Sequence, residues 1–362
     1  MVQHISIGSN FAGINPKNKK HTQIFTEVVQ EMSSSTEVEQ KDDHFEELFQ
    51  RLQPKKPVAG GLVANYQGVW FYAELLQATL TFQKHFKAID SDIILATMAK
   101  SGTTWLKALT FSIVNRNNHS VDKSPLLFSN PHYLVPFLEL YLYKDGNIPD
   151  IDSMPCPRIL AAHLPYQFLP SSILDCSNCR IIYLCRNPLD VFTSVLQFFL
   201  QNGHISSPSM SIDVPFEEFC QGIHAYGPFW DHCLGYWDAS LKNPQKVLFL
   251  KYEDLKKDIN SSVKKMADFL GYPFSAEEEE AGLVEEIATL CSFENLKNLN
   301  CNKEGEIQTV FRAKHNSFFR KGEVGDWVNL VPPSMANRLE KLMQEKFGES
   351  GLTLDIHGNS VG

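Results

Sequence analysis

The stretch Ile93-Ile94-Leu95-Ala96-Thr97-Met98-Ala99-Lys100-Ser101-Gly102-Thr103-Thr104-Trp105-Leu106-Lys107-Ala108-Leu109 reads as strand, tight loop and helix. Its apolar opening, ending near Thr97, suits a buried strand. Lys100 to Thr103 is short and polar, and Gly102 eases a tight turn. Trp105, Leu106, Leu109 and Ile113 then recur at helical spacing, with Thr103 or Thr104 expected as the N-cap. A helix N-terminus carries unsatisfied N–H groups and a partial positive charge. With a lysine and hydroxyls in the same loop, that end suits an anionic, phosphate-like group. The ATP-binding loop, Gly, four residues, then Gly-Lys-Ser/Thr, is absent, because here the lysine precedes the glycine. The local pattern alone leaves open an ordinary strand-to-helix turn with a surface lysine.

The chain has 362 residues, enough for one large α/β domain or two small ones. Hydrophobic residues make up 43% and charged residues 21%, which excludes a largely disordered chain. A net charge of −9 argues against nucleic acid as a partner, so any phosphate site is a local basic pocket. Eight cysteines are scattered, and Cys176 and Cys179 have no second pair to complete a zinc set, so reduced core thiols and no metal are expected. No apolar run approaches membrane-spanning length, and Met1 to Asn10 lack a signal-peptide core. A cytoplasmic address without membrane attachment follows as an expectation. Residues 1–43 are polar and read as a mobile N-terminal extension; Glu27, Glu31, Glu37, Glu39 and Asp42 are out of keeping with a transit peptide.

Beyond a helical pattern at 44–52, the glycine break at 60–61 and a helix over 73–87, strands alternate with helices. Apolar runs at 158–162, 180–185 and 247–252 join 93–97 as strands. Long crossovers between them imply a single α/β domain, 44–350, with a central parallel sheet flanked by helices on both faces and a tail at 351–362. Ligands in such sheets sit beyond the carboxyl ends of the strands. Polar clusters follow each strand, at 100–105, 163, 186–194 and 252–254, so their convergence is expected from topology.

Lys100-Ser101-Gly102-Thr103-Thr104-Trp105 resembles the 5′-phosphosulfate loop of the cytosolic sulfotransferases, and Leu106 to Phe111 resembles its plant, flavonol-sulfotransferase-like branch. The family transfers a sulfuryl group from 3′-phosphoadenosine 5′-phosphosulfate (PAPS) to a hydroxyl of a small molecule, on a P-loop-NTPase-like sulfotransferase architecture. Its loop usually has proline before the lysine; here Ala99 lacks that restraint on φ. His163-Leu164-Pro165 resembles the family's catalytic motif, which implies His163 as the base that deprotonates the acceptor. Arg186-Asn187-Pro188 with Asp190 and Ser194 resembles its 3′-phosphate segment, and Arg320-Lys321-Gly322 before Gly325-Asp326-Trp327 resembles its second phosphate loop. Guanidinium groups offer paired donors to phosphate oxygens. Tyr252-Glu253-Asp254 and the stretch around Ser292 resemble adenine-side segments. Where the family often has Trp-His after the serine, this chain reads Val195-Leu196-Gln197-Phe198.

The resemblance implies Lys100 at the phosphate–sulfate bridge as a catalytic cation. It places Ser101, Gly102, Thr103 and Thr104 around the 5′-phosphate and Trp105 and Tyr252 on adenine. Arg186, Ser194, Arg320, Lys321 and Gly322 would hold the 3′-phosphate. The acceptor would lie near Tyr133, Phe137 and Tyr166, aromatic residues that suit a flavonoid, steroid or hormone-like scaffold. Two rivals differ in kind: a nucleotide-binding protein of weak catalysis, and a P-loop kinase, which needs magnesium carboxylates. The sequence assigns neither the acceptor nor an oligomeric state.

Overall fold

A computed structural model describes residues 43–357 except 59 and 206–210. The extension expected over 1–43 therefore lies, but for its last residue, outside the described residues. Four parallel strands form the centre: β3 (Ile93–Thr97), β4 (Ile159–Ala162), β5 (Arg180–Cys185) and β6 (Val247–Lys251), in the order β4-β3-β5-β6. β3 is paired in register with both β4 and β5, Leu95 opposite Ala161 and Ile182. Every residue of β3 and β4, and β5 from Ile181 onward, is buried. Strands covered on both faces read as continuous apolar runs, which is why β3, β4 and β5 are legible without alternation; β6, at the sheet edge, is only partly buried. Two antiparallel hairpins lie outside this sheet: β1 (Val63–Tyr66) with β2 (Val69–Tyr72), and β7 (Glu306–Gln308) with β8 (Arg312–Lys314).

The strand order places the site. β4 lies on one side of β3 and β5 on the other, so the residue after β4, His163, and the residue after β5, Arg186, flank the loop after β3. Tyr252 follows β6 beyond Arg186. At the opposite rim, buried Arg158 donates to both oxygens of buried Asp92, at 2.7 and 2.6 Å, and joins the starts of β4 and β3.

The helix after β3 runs Thr103–Asn115. Its N-cap is Gly102, at φ 105°, and not a threonine. The expected side-chain cap is thus corrected: the Thr103 hydroxyl pairs with Thr97 Oγ1 at 2.7 Å and the Thr104 hydroxyl with His132 at 3.0 Å. Asn187, by contrast, caps Pro188–Gln201, accepting from the N–H groups of Leu189 and Asp190. The tail packs as far as it is described: Leu352 and Ile356 are buried, and Asn187 Nδ2 donates to the carbonyls of Asp355 and Ile356. All eight cysteines are free thiols; five are buried, but Cys156 is exposed, so the expectation of core thiols does not hold for it.

Candidate active site

Lys100 and Gly102 both have positive φ, 68° and 105°. A Cβ on Gly102 would stand 2.8 Å from the Tyr252 ring and 3.1 Å from Leu184, so only glycine fits. Leu106 N–H makes the first bond of the helix, to the Gly102 carbonyl at 3.0 Å. The N–H groups of Thr103, Thr104 and Trp105 consequently have no role inside the helix.

The Lys100 ammonium sits 4.1 Å from the Phe198 ring centroid and 5.3 Å from that of Phe318. Burial, and then the positive charges of Arg186 and Arg320, push its pKa down to about 7. Phe198 belongs to the stretch that departs from the family pattern; here it forms one wall of the lysine's cage.

On the β4 side, His163 Nδ1 lies 2.8 Å from the Thr97 carbonyl and 3.1 Å from Thr97 Oγ1. A carbonyl only accepts, so the proton is on Nδ1 and the lone pair on Nε2. Burial, helped by the charges of Lys107, His232 and Lys100, holds the imidazole pKa down at about 3, against the Thr97 bond that raises it. Buried Glu139 accepts the His163 N–H at 2.7 Å, and burial pushes its own pKa up to about 7. His232 Nε2 donates to the His163 carbonyl at 2.9 Å, while Tyr183 O–H donates to His232 Nδ1 at 2.9 Å.

On the β5 side, Arg186 donates to the carbonyls of Glu323 at 2.7 Å and Lys100 at 3.3 Å, and stacks over Tyr252 with 4.5 Å to the ring centroid. Arg320 and Lys321 both pair with Asp326. Asp326 is buried; that burial raises its pKa, but bonds from Lys321, Arg320 and Asn329 hold it below the usual carboxylate value. Asp190 accepts from the N–H groups of Gly325 and Trp327 and so ties this loop to the helix after β5. Gly322 has φ 68°, a Cβ there would overlap the Phe293 ring, and its carbonyl accepts from Tyr252 O–H at 3.1 Å. Among the described residues the Nε atoms of Arg186 and Arg320 are buried without a partner. Orphaned cationic donors at one place suit anionic oxygens.

One cavity of about 270 Å³ joins both sides. It is lined by Lys100, Gly102, Thr103, Thr104, Trp105, Arg186, Ser194, Tyr252, Arg320, Lys321 and Gly322 and also by His163. Phe137, Leu140, Phe192, Phe199, Phe219 and Phe311 supply its apolar walls. Ser101 of the same loop is buried and does not line the cavity. Ser292 caps the Phe293–Asn298 helix, and its neighbours Cys291 and Phe293 line the cavity. Of the three aromatics expected at the acceptor, only Phe137 lines the cavity. Tyr133 O–H donates instead to the Glu306 carbonyl at 3.1 Å, and Tyr166 packs edge-on against Tyr236. Sequence reasoning gave no role to Thr97, Lys107, Glu139, Phe318 or Asp326; the first four have partners far away in the chain. His132, in the Asn130-Pro131-His132 run, bonds to Thr104 of the loop at 3.0 Å.

A parallel sheet whose rim carries a cation-lined loop on one side of β3 and an imidazole facing an apolar hollow on the other defines a group-transfer enzyme acting on an anionic donor. The chain belongs to the sulfotransferase family: the sulfotransferase domain matches residues 90–351, and the protein is a sulfotransferase. Cytosolic sulfotransferase 15 of Arabidopsis thaliana is 45% identical over 319 residues, 86% of this chain and 87% of that one. Cytosolic sulfotransferase 14 of the same plant is 45% identical over 333 residues, 90% of this chain and 94% of its own. The crystal structure of mouse sulfotransferase SULT7A1, complexed with PAP, superposes with a TM-score of 0.62 at 28% identity, covering 80% of this chain and 95% of that one.

Proposed function

We propose that the protein transfers a sulfuryl group from PAPS to the hydroxyl of a small, largely apolar or aromatic acceptor of the flavonoid, steroid or hormone-like kind. The observation that carries this reading is that the Lys100 loop and His163 line the same cavity, basic on one side and apolar on the other. The 3′-phosphate is assigned to Arg186, Ser194, Arg320, Lys321 and the Gly322 amide; the unpartnered Nε atoms of the two arginines support it. Adenine is assigned to Trp105 and Tyr252, with the Ser292 turn behind it, and the 5′-phosphate to Gly102, Thr103, Thr104 and the helix N-terminus.

In the reaction the acceptor O–H gives its proton to His163 Nε2 as its oxygen bonds to sulfur, and the bond from sulfur to the bridging phosphate oxygen breaks. Lys100 meets the charge that grows on that oxygen. The depressed pKa of His163 keeps its lone pair available, and a neighbouring anionic donor raises its basicity toward the range a general base needs. Phe137 and the phenylalanine walls hold the acceptor by burial. The cytosolic relatives support a cytoplasmic location. Among the described residues no helix is long and apolar enough to cross a membrane.

The test is turnover of PAPS, with and without magnesium, against phenols, hydroxysteroids and hydroxylated fatty acids, with sulfated products detected by mass spectrometry. Sulfation independent of magnesium is expected. Binding of the nucleotide with no product from any acceptor would overturn the enzymatic reading.

A further inference from the structure

Beneath the Lys100 loop lies a buried polar chain that the reaction as written does not use. Lys107 is fully buried in the middle of the Thr103–Asn115 helix, where a lysine is rarely found without a partner. Its Nζ lies 3.1 Å from His132 Nδ1 and 3.2 Å from the centre of the Phe137 ring. His132, also buried, places Nε2 3.0 Å from Thr104 Oγ1, and Thr104 lines the cavity.

We propose that Lys107 and His132 are positioning residues that hold the Thr104 hydroxyl as a hydrogen-bond donor to the 5′-phosphate of the sulfuryl donor. This rests on the donor site proposed above. The argument is one of bond polarity. In its charged form Lys107 has donors and no acceptor, so the ammonium that an anionic ligand favours donates to Nδ1 of His132. A neutral imidazole accepting at Nδ1 carries its proton on Nε2, which then donates to Thr104 Oγ1. With that oxygen already accepting, the remaining hydroxyl proton points elsewhere, and the cavity is where an acceptor would be. Phosphate oxygens only accept. The opposite polarity would turn a hydroxyl lone pair toward the phosphate and repel it.

The surroundings oppose the ammonium when nothing is bound: burial lowers the Lys107 pKa well below the ordinary value, with Glu139 raising it. Burial, followed by the charge of Lys107, does the same to His132 and keeps it neutral. An anion beyond Thr104 favours the charged end of the chain, so ligand and lysine stabilise each other through three hydrogen bonds in series. The Phe137 ring, 5.3 Å from that of His132 and 4.7 Å from that of His163, stands between this chain and the base. The hydrogen-bonded chain therefore leads to the 5′-phosphate, while the Lys107 charge reaches His163 only through space.

Calorimetry with two ligands tests this: adenosine 3′,5′-bisphosphate, and adenosine 3′-monophosphate, which lacks the group in question. Lys107→Met should weaken the bisphosphate about tenfold, the scale of one hydrogen bond to a charged group, and leave the monophosphate within about twofold. In a Thr104→Val background Lys107→Met should have no further effect on the bisphosphate, because the hydroxyl it orients is gone. His132→Leu should repeat the pattern and serves if Lys107→Met does not fold. Equal losses for both ligands, or additive losses in the double variant, overturn the proposal. Failure of the wild-type protein to bind the bisphosphate at all would instead overturn the donor site itself.

Discussion

Lys100 offers a prediction whose size follows from its surroundings. In the free protein burial and the flanking Arg186 and Arg320 charges bring its pKa to about 7, so near neutral pH it is charged about half the time. A 3′,5′-bisphosphorylated ligand brings negative charge beside the ammonium and returns its pKa toward the ordinary lysine range. The bound form thus carries more protons than the free form, and affinity must fall as pH rises above the free value. From about pH 7 to about pH 8.5 the charged fraction of free Lys100 drops from about one half to about one thirtieth, so affinity should drop about fifteenfold. Below about pH 6 the dependence on Lys100 flattens, because both states are then charged. The ligand's own phosphates have lost their protons by about pH 7 and contribute little to this slope. The assay is calorimetric titration of adenosine 3′,5′-bisphosphate across this range, on the wild type and on Lys100→Met. The variant should bind more weakly and without the slope. An affinity independent of pH in the wild type, or an unchanged slope in the variant, would refute the reasoning.

His163→Ala should cut turnover by about 10²–10⁴-fold with donor affinity nearly unchanged, because its lone pair faces the acceptor side; near-normal turnover of the folded variant would remove it as base. Arg186→Ala and Arg320→Ala should weaken adenosine 3′,5′-bisphosphate far more than adenosine 5′-monophosphate, and equal losses by calorimetry would place the arginines away from the 3′-phosphate. Burial depresses His163 to about 3 and His224 and His232 to about 4, each from 6.5. Between pH 6.5 and about 4 the unfolded chain therefore binds protons that the folded chain refuses, and stability is lost as pH falls through that window. Thermal melts should show a steep decline there; a flat melting temperature would refute these assignments.

Much of the fold is written locally. The continuous apolar runs at β3, β4 and β5 announce strands covered on both faces, the run at β6 marks a partly covered edge strand, and long crossovers between them dictate parallel pairing. The order of lysine, glycine and threonines after β3, the histidine after β4 and the arginine after β5 are equally legible, because a strand end, its turn and the next helix are specified by neighbours in sequence. The β1–β2 and β7–β8 hairpins were not, because their strands are only four and three residues long and lack a clear alternating run.

Partners are another matter. Nothing local says that β3 sits between β4 and β5, yet that order alone puts His163 and Arg186 on opposite sides of Lys100. The loop threonines looked like helix caps, because capping is a local pattern; tertiary packing gave their hydroxyls to Thr97 and His132 instead. Tyr133 and Phe137 share one segment, but only packing turned Phe137 into the cavity and Tyr133 toward Glu306. Arg320 and Lys321 read as open cations until the fold set Asp326 between them. Which chemical groups stand at which strand ends is a local property of the chain. Which of them meet is not, because hydrogen-bond partners and burial are set by residues distant in the chain.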